Sequence, residues 1–262
     1  MNGAQKTIKI LAIGLAIFIM VSILQAILYA FSWIGGFGSS GNEFYKNTFT
    51  DIRSIDIDVN TSNLYIKEGL EFNVEANHVS QYFKSYVKNE TLKVEENHRW
   101  FGGAGSGEII ITVPATVSLE ELKIDAGAGR ISIEEITANR LDLDQGAGTL
   151  KMTNSNFKEA DIDGGAGLLE ITSSTLRNLD LDAGVGKVIL GENIYGKSKI
   201  DCGVGEMNFI LKKKEDYEIR IDKGIGSIKI DGKEIKSDRI GSGNHMLDIH
   251  GGIGSININF ES

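Results

Sequence analysis

The amino-acid sequence predicts an all-β protein: a single-stranded β-helix (β-solenoid) with rungs of about 19 residues, preceded by one N-terminal transmembrane helix. Three observations carry that expectation. The stretch "LKIDAGAGRISI" at 122–133 returns as "LDLDQGAGTLKM" at 141, "ADIDGGAGLLEI" at 160, "LDLDAGVGKVIL" at 179 and "SKIDCGVGEMNF" at 198. Within each copy the apolar residues alternate with period two, the pattern of half-buried strands. From Ile10 to Ile34 no residue is charged, about 25 positions against the ~20 that cross a bilayer.

The N-terminal element reads as an uncleaved anchor. Lys6, Lys9 and the α-amino group precede the apolar span, while the sequence after it is mixed, with Glu43, Lys46 and Asp51. The positive-inside rule therefore predicts a cytoplasmic N-terminus (1–9), a single-pass span (10–34) in the cell membrane and an extracytoplasmic remainder. Tyr29 and Trp33 suit the outer interface, and "GGFGSSGNE" (35–43) reads as a flexible tether. A cleaved signal peptide is the competing reading. Its apolar region would be long, and Leu28-Tyr29-Ala30 lacks a small residue at the first position. A lipid-modified cysteine is excluded, because the one cysteine is Cys202.

Composition narrows the partners. A formal charge of -9 with a pI near 5.1 argues against nucleic acid. Glycine occurs 32 times and proline once, at Pro114. Disordered segments are commonly enriched in proline, so this balance points to an ordered backbone with many tight bends.

The repeat sets the architecture. The paired glycines are Gly127 and Gly129, Gly146 and Gly148, Gly165 and Gly167, Gly184 and Gly186, Gly203 and Gly205, Gly224 and Gly226, Gly252 and Gly254. The second members are 19, 19, 19, 19, 21 and 28 residues apart. Such a period marks a solenoid, whose units close a core only by stacking. Three inward columns follow: Ile124, Leu143, Ile162, Leu181, Ile200, Ile221, Ile249; then Ile131, Leu150, Leu169, Val188, Met207, Ile228, Ile256; then Ile133, Met152, Ile171, Leu190, Phe209, Ile230, Ile258. A looser fourth, Ala138, Phe157, Leu176, Tyr195, predicts a third side to each coil. The glycines would form the corner where two arms meet and stacked backbones approach closely. Small residues precede the first glycine at Ala126, Gly164, Ala183 and Cys202, with Gln145 and Lys223 departing. Upstream, "IDIDVNTSNLYI" (55–66) repeats the scheme with Asn60 and Ser62 in place of glycines. The solenoid domain is expected over 44–262, with irregular first rungs and a cap over 44–121 and regular repeats over 122–262. The longer steps before Gly226 and Gly254 predict outward loops.

Chemistry is sparsely marked. Asp125, Asp144, Asp163, Asp182, Asp201 and Asp222 form a ladder, joined two residues earlier by Asp142, Asp161 and Asp180. The first five are the candidate Ca²⁺ ligands, since calcium takes several carboxylates. The favoured expectation is architectural: Asp before a bend accepts hydrogen bonds from nearby backbone N–H groups. A catalytic pair needs two acids in different environments, and equivalent corners supply identical ones. No catalytic residue, cofactor or metal is therefore expected, and the chain reads as a non-enzyme. His78, His98, His245 and His250 lack metal-ligand spacing. Cys202 reads as a buried small residue. "GVGKV" (184–188) lacks the upstream glycine of a phosphate loop. "RWFGGAGSGE" (99–108) reads equally as a contact patch or as a lid over the open core.

With "IIITVPATVSLEELKIDAGAGRISI" (109–133) the chain resembles the bacterial putative-adhesin, β-strand-repeat domain family of unknown function. The resemblance covers about residues 50–260 and rests on an "I-x-V-P" segment, a leucine-anchored lead-in and repeated "L-x-I-x-x-G-x-G-x-I-x-I" units. Members with one N-terminal membrane helix are similar to proteins encoded beside cell-envelope stress systems. The resemblance implies a β-repeat fold and supplies no catalytic residues. The function expected is that of a non-catalytic, membrane-anchored interaction protein, adhesin-like or stress-associated. Its partners would be the lipid bilayer through residues 10–34 and an envelope protein or polysaccharide. The alternative is a polysaccharide-binding or polysaccharide-cleaving β-helix.

Overall fold

The computed structural model of the chain describes residues 43–80, 82–96, 107–235 and 238–261. The span at 10–34, the tether, His98 and the Trp100–Phe101 stretch lie outside these. Among the described residues no helix is long and apolar enough to cross a membrane.

The described chain is all-β and solenoid-like. Long strands carry the repeats: β8 (Leu119–Glu134), β9 (Thr137–Thr153), β10 (Asn156–Thr172), the short β11 (Thr175–Arg177) with β12 (Leu179–Tyr195), and β13 (Lys197–Leu211). Each pairs in parallel with the next, and equivalent residues meet: Ile124 faces Leu143, Leu143 faces Ile162, and Gly129, Gly148, Gly167 and Gly186 stack in line. Every strand bends at its glycine pair, so one rung supplies two arms. The three inward columns are buried throughout. A further column does not stand out in the sequence: Leu122, Leu141, Ala160 and Leu179 are also buried, two residues ahead of the first column. The series continues as Ser198, whose hydroxyl accepts from Leu179 N–H at 3.1 Å.

The corner explains the glycines. At Gly167, φ is +143°, and a Cβ built there would stand 1.8 Å from the carbonyl oxygen of Gly148. No side chain fits that gap, and the dihedral belongs to glycine. Gln145 enters the small-residue column without breaking it. It is buried, and its side-chain amide donates to the Gly129 carbonyl at 3.1 Å.

The opposite corner uses different chemistry. Glu135, Asn154 and Ser173 adopt positive φ of 60°, 53° and 52°. Buried serines follow: Ser155 Oγ accepts from Ile136 N–H and Ser174 Oγ from Ser155 N–H, both at 3.1 Å. In β12 the chain passes this corner at the buried Gly191 without that device and loses one residue. The third side therefore places Ile194, not Tyr195, beside Leu176. Tyr195 instead packs its ring against His245, with centroids 4.8 Å apart and planes tilted by 54°.

The ends depart from sequential stacking. After β13 come a 3₁₀ turn (Lys214–Asp216), β14 (Tyr217–Ile230), the short β15 (Lys233–Glu234) and β16 (Arg239–Gly241), and finally β17 (His245–Phe260). β17 inserts between β13 and β14: Gly205 and Gly226 both pair with Gly254, and Ile200 and Ile221 with Ile249. The spatial order of the last two rungs is thus the reverse of the chain order expected from the glycine spacing. The long step before Gly254 holds β15 and β16, which fold back antiparallel on β14.

The N-terminal end is interleaved too. β2 (Ser54–Val59) and β3 (Asn63–Gly69) form a rung directly on β8, with Ile57 against Ile124 and Leu64 against Ile131. Beyond it lies a later segment of chain, β6 (Thr91–Glu96) and β7 (Glu108–Pro114), parallel to β2 and β3. The remaining strands close the core in antiparallel pairs: β1 (Glu43–Phe49) on β4 (Phe72–Val79), β4 on β7, and β5 (Phe83–Lys88) on β6. Tyr45 of β1 meets Phe83 of β5 edge-on at 5.1 Å and bonds Ser85 Oγ at 2.8 Å. Where this rung has Asn60 and Ser62 in place of glycines, the buried Glu96 carboxylate accepts from Asn60 N–H at 3.2 Å and from the Ser62 hydroxyl at 2.5 Å.

Candidate functional site

The parallel register turns the repeated aspartates into a surface feature. In spatial order one column runs Glu95, Asp58, Asp125, Asp144, Asp163, Asp182, Asp201, His250, Asp222. A second, two residues upstream, runs Lys93, Asp56, Lys123, Asp142, Asp161, Asp180, Lys199, Asp248, Arg220 on the same strand faces. Neighbouring rungs are about 4.8 Å apart. The centre is therefore a block of six carboxylates, with cations above and below.

The expected capping role of these aspartates is not what the structure shows. Among the described residues, no backbone N–H donates to Asp125, Asp144, Asp163, Asp182 or Asp222, and none of the five makes an ion pair. They sit on the straight arm before the bend, where strand partners already take the backbone groups, and their side chains are exposed. Like charges stacked in register destabilise a sheet, and the electrostatics follow. Burial beside the stack, then the charges of Asp161, Asp144, Asp182 and Asp180, raise the Asp163 pKa. Asp58 is raised by burial, then by Asp125, Glu95 and Asp56.

Cations relieve the block at its margins. Lys123 reaches Asp142 at 3.2 Å, and Arg140 lies 3.6 Å from Glu121 and 3.9 Å from Glu159 and Asp161. Lys199 pairs closely with Asp201, whose other oxygen is 2.7 Å from His250 Nδ1. His250 Nε2 lies 3.4 Å from Asp248. Burial pushes Asp201 up, but the bonds from Lys199 and His250 together leave it below the usual carboxylate value.

Among the described residues no three His, Cys, Asp or Glu side chains are gathered to hold a metal ion. His245 is structural, its Nδ1 accepting from Gly196 N–H at 3.3 Å between the rings of Tyr195 and Tyr217. Cys202 is buried and free, its thiol pKa raised by burial and then by Asp182. Burial and neighbouring charge push Tyr217 up to about 12. The residues between the corner glycines, Ala128, Ala147, Ala166, Val185, Val204 and Ile253, form a half-exposed ridge ending at the exposed Ile225. An open depression of about 260 Å³ is lined by Tyr65, Lys67, Glu108, Ile110, Ser132 and Glu134, away from the aspartates.

A family profile matches residues 52–259, the Toastrack family, DUF4097. The chain belongs to the Toastrack family. Solved structures similar to this Toastrack chain include a putative cell adhesion protein from Clostridium sporogenes, 17% identical over 84% of this chain and 99% of that one, with a TM-score of 0.41. A putative adhesin from Bacteroides fragilis is 16% identical over 82% and 96%, with a TM-score of 0.39. A putative lipid binding protein from Parabacteroides distasonis is 14% identical over 84% and 98%, with a TM-score of 0.44. No curated protein matches the chain.

Proposed function

We propose that this Toastrack chain is a non-catalytic, membrane-anchored scaffold that presents its β-solenoid outside the cytoplasmic membrane as an adhesin-like or envelope-stress interaction surface. The observation that carries the reading is the acidic ladder. Its central carboxylates, Asp144, Asp163 and Asp182, are repeated at equivalent positions, exposed and without an ion-pair partner. Catalysis by paired acids requires environments that hold one protonated and the other charged. A surface that repeats one group at strand spacing suits multivalent contact with a repeating or extended partner. The uncharged span at 10–34 supports the anchor, and the lysines before it support the orientation.

Two measurements test this. Protease added to intact protoplasts should remove the 44–262 region; a protected domain would overturn the orientation, and a soluble product beginning near Phe31 would overturn the anchor. Cell-surface binding should fall in graded steps as Asp144, Asp163 and Asp182 are changed to Asn singly and together. Complete loss at one position, with its equivalents silent, would mark a catalytic or single-ligand site instead.

A further inference from the structure

The second arm of each rung carries an outward face of its own, around the glycine bend from the aspartates. Along it polar side chains pair with their column neighbours: Lys46 with Glu75 at 2.6 Å, Lys151 with Glu170 at 3.9 Å, Lys187 with Glu206 at 3.4 Å and Asn257 with Asn208 at 2.9 Å. The open depression of about 260 Å³ interrupts that pattern. Its lining comes from one face of three neighbouring strands, β7, β3 and β8. Tyr65 stands between Ile110 and Ser132, and Lys67 is opposite Glu134. Although they meet in register, Lys67 and Glu134 form no ion pair. Nor do the side chains of Tyr65, Glu108 and Ser132 hydrogen-bond to another described residue.

The groups left unpaired select a ligand by their chemistry. A tyrosine ring beside an isoleucine offers an apolar platform with a polar edge. Around it stand two carboxylates that accept, an ammonium that donates and a hydroxyl that does both. That combination matches a pyranose, which presents C–H groups on its ring face and hydroxyls at its rim. Two acids against one lysine disfavour an anionic ligand. The depression is open and smaller than the ~300–1,000 Å³ of a site that buries a drug-sized molecule, so it suits one ring of a longer chain. Beyond it Thr153 and Thr172 continue the Glu134 column, and Lys151 and Glu170 the Ser132 column. These rungs are about 4.8 Å apart, close to the length of one sugar unit in an extended glycan. We propose that the Tyr65 depression seats one ring of a neutral polysaccharide lying along the outer face of the second arm. The inference rests on the interaction-surface reading above, for which it names a partner, and it places that partner on a different face from the aspartates.

The test uses the full chain in phosphatidylcholine nanodiscs, free of glycoside detergent, dialysed to equilibrium against fluorescent cellohexaose or N-acetylglucosamine hexamer. Saturable binding of at least one of the two is expected, with a galacturonate hexamer at least about tenfold weaker. Tyr65→Ala should weaken the neutral hexamer about tenfold. Tyr65→Phe keeps the platform and should bind within about twofold of the parent. Ser132→Gln fills the depression from the surface and should abolish binding. Asp144→Asn, Asp163→Asn and Asp182→Asn together should leave it unchanged. If neither neutral hexamer binds, the sugar site is overturned and the reading of the aspartate ladder stands. Binding that survives both Tyr65→Ala and Ser132→Gln lies elsewhere and overturns the site too. Binding lost only in the triple Asn variant moves the glycan to the ladder, which overturns the Tyr65 site while supporting the interaction surface. Tighter binding of the galacturonate hexamer overturns the choice of a neutral glycan.

Discussion

The middle of the solenoid and its two ends are built from the same strand motif but obey different rules. Between Leu119 and Tyr195 each rung lies on its sequence neighbour, with a 19-residue offset from Gly129 to Gly186. At either end a rung is bracketed by segments that are not both its chain neighbours: β2–β3 lies between β6–β7 and β8, and β17 between β13 and β14. A purely sequential stack would expose its first and last strands as open edges, a template for unwanted pairing. Here segments outside the sequential stack cover the ends: β1, β4 and β5 cover one, and β15 and β16 cover part of the other. The middle provides length, and the ends provide closure.

The largest expected effect breaks the middle. Gly167→Ala places a methyl against the Gly148 carbonyl at a φ reserved for glycine, with rungs above and below that cannot move apart. A loss of roughly 4 kcal/mol or more is expected. Gly226→Ala also meets a carbonyl, that of Gly254, at 1.6 Å, but its φ lies outside the left-handed region and no further rung lies beyond it. It should cost about half as much, because β14 can shift outward. Urea melts of the two variants check the contrast, and equal losses would mean that the end rung is as constrained as the middle.

Next comes the order of the end strands. "GIGSIKI" in β14 and "GIGSINI" in β17 differ at one position, so either suits the slot beside β13. The residue before the first glycine separates them. Lys223 stands in the terminal rung, and Gly251 pairs with the buried Cys202. A lysine at Gly251 would have to bury its charge inside the stack, and Gly251→Lys should cost roughly 3 kcal/mol. Order itself is read by crosslinking. Paired Cα atoms on neighbouring strands lie within disulfide reach, so Gly251→Cys should oxidise to a bridge with Cys202. Lys223→Cys, two rungs from β13, should not. The reverse result would restore the sequential order.

These contrasts separate what is legible in the sequence from what is not. Period-two alternation and a fixed glycine step are local, so the arms, the corner and three core columns can be read directly. The Leu122 column is equally local, yet Ala160 and Ser198 blur it. Which rung lies beside which is not local: parallel strands pair at any separation that matches apolar faces, and Gly254 suits Gly205 as well as Gly226 does. The one hint is Lys223, visible as an exception in a column of small residues. Glu96 is hidden for the same reason, since its partners Asn60 and Ser62 lie 36 and 34 residues away. The aspartates look like caps in the sequence, yet a residue preceding a bend still sits on the straight arm when the bend falls on the glycines.

The ladder should respond to acid in opposite senses at its middle and its end. Asp163 has a raised pKa, so its charge is disfavoured in the folded state at every pH above that value. The penalty is relieved as pH falls through the raised folded value towards the unfolded one. Asp163→Asn should therefore raise the melting temperature at neutral pH by about 1–2 °C, the carboxylate being exposed and its repulsion screened by water. The gain should shrink at high salt and vanish below about pH 3. A variant that melts lower at neutral pH would return the aspartates to a structural role.

Asp201 carries the smallest and opposite effect. Bonds from Lys199 and His250 hold its pKa below the ordinary value despite burial. A group so lowered stabilises the fold above its unfolded pKa, and the contribution is lost as pH falls from that value through the folded one. Lys199 and His250 are half open to water, with 52% and 41% of their side chains exposed, so water screens much of their attraction for Asp201. Asp201→Asn should lower the melting temperature at neutral pH by up to about 1 °C and be silent below about pH 3. His250→Gln removes the Nδ1 contact to Asp201 and should reproduce part of that loss. Both effects should be absent from the equivalent Asp144→Asn, which has no cationic partner. If Asp144→Asn and Asp201→Asn moved together, the end of the ladder would be no different from its middle, and the insertion of β17 beside β13 would have no electrostatic consequence.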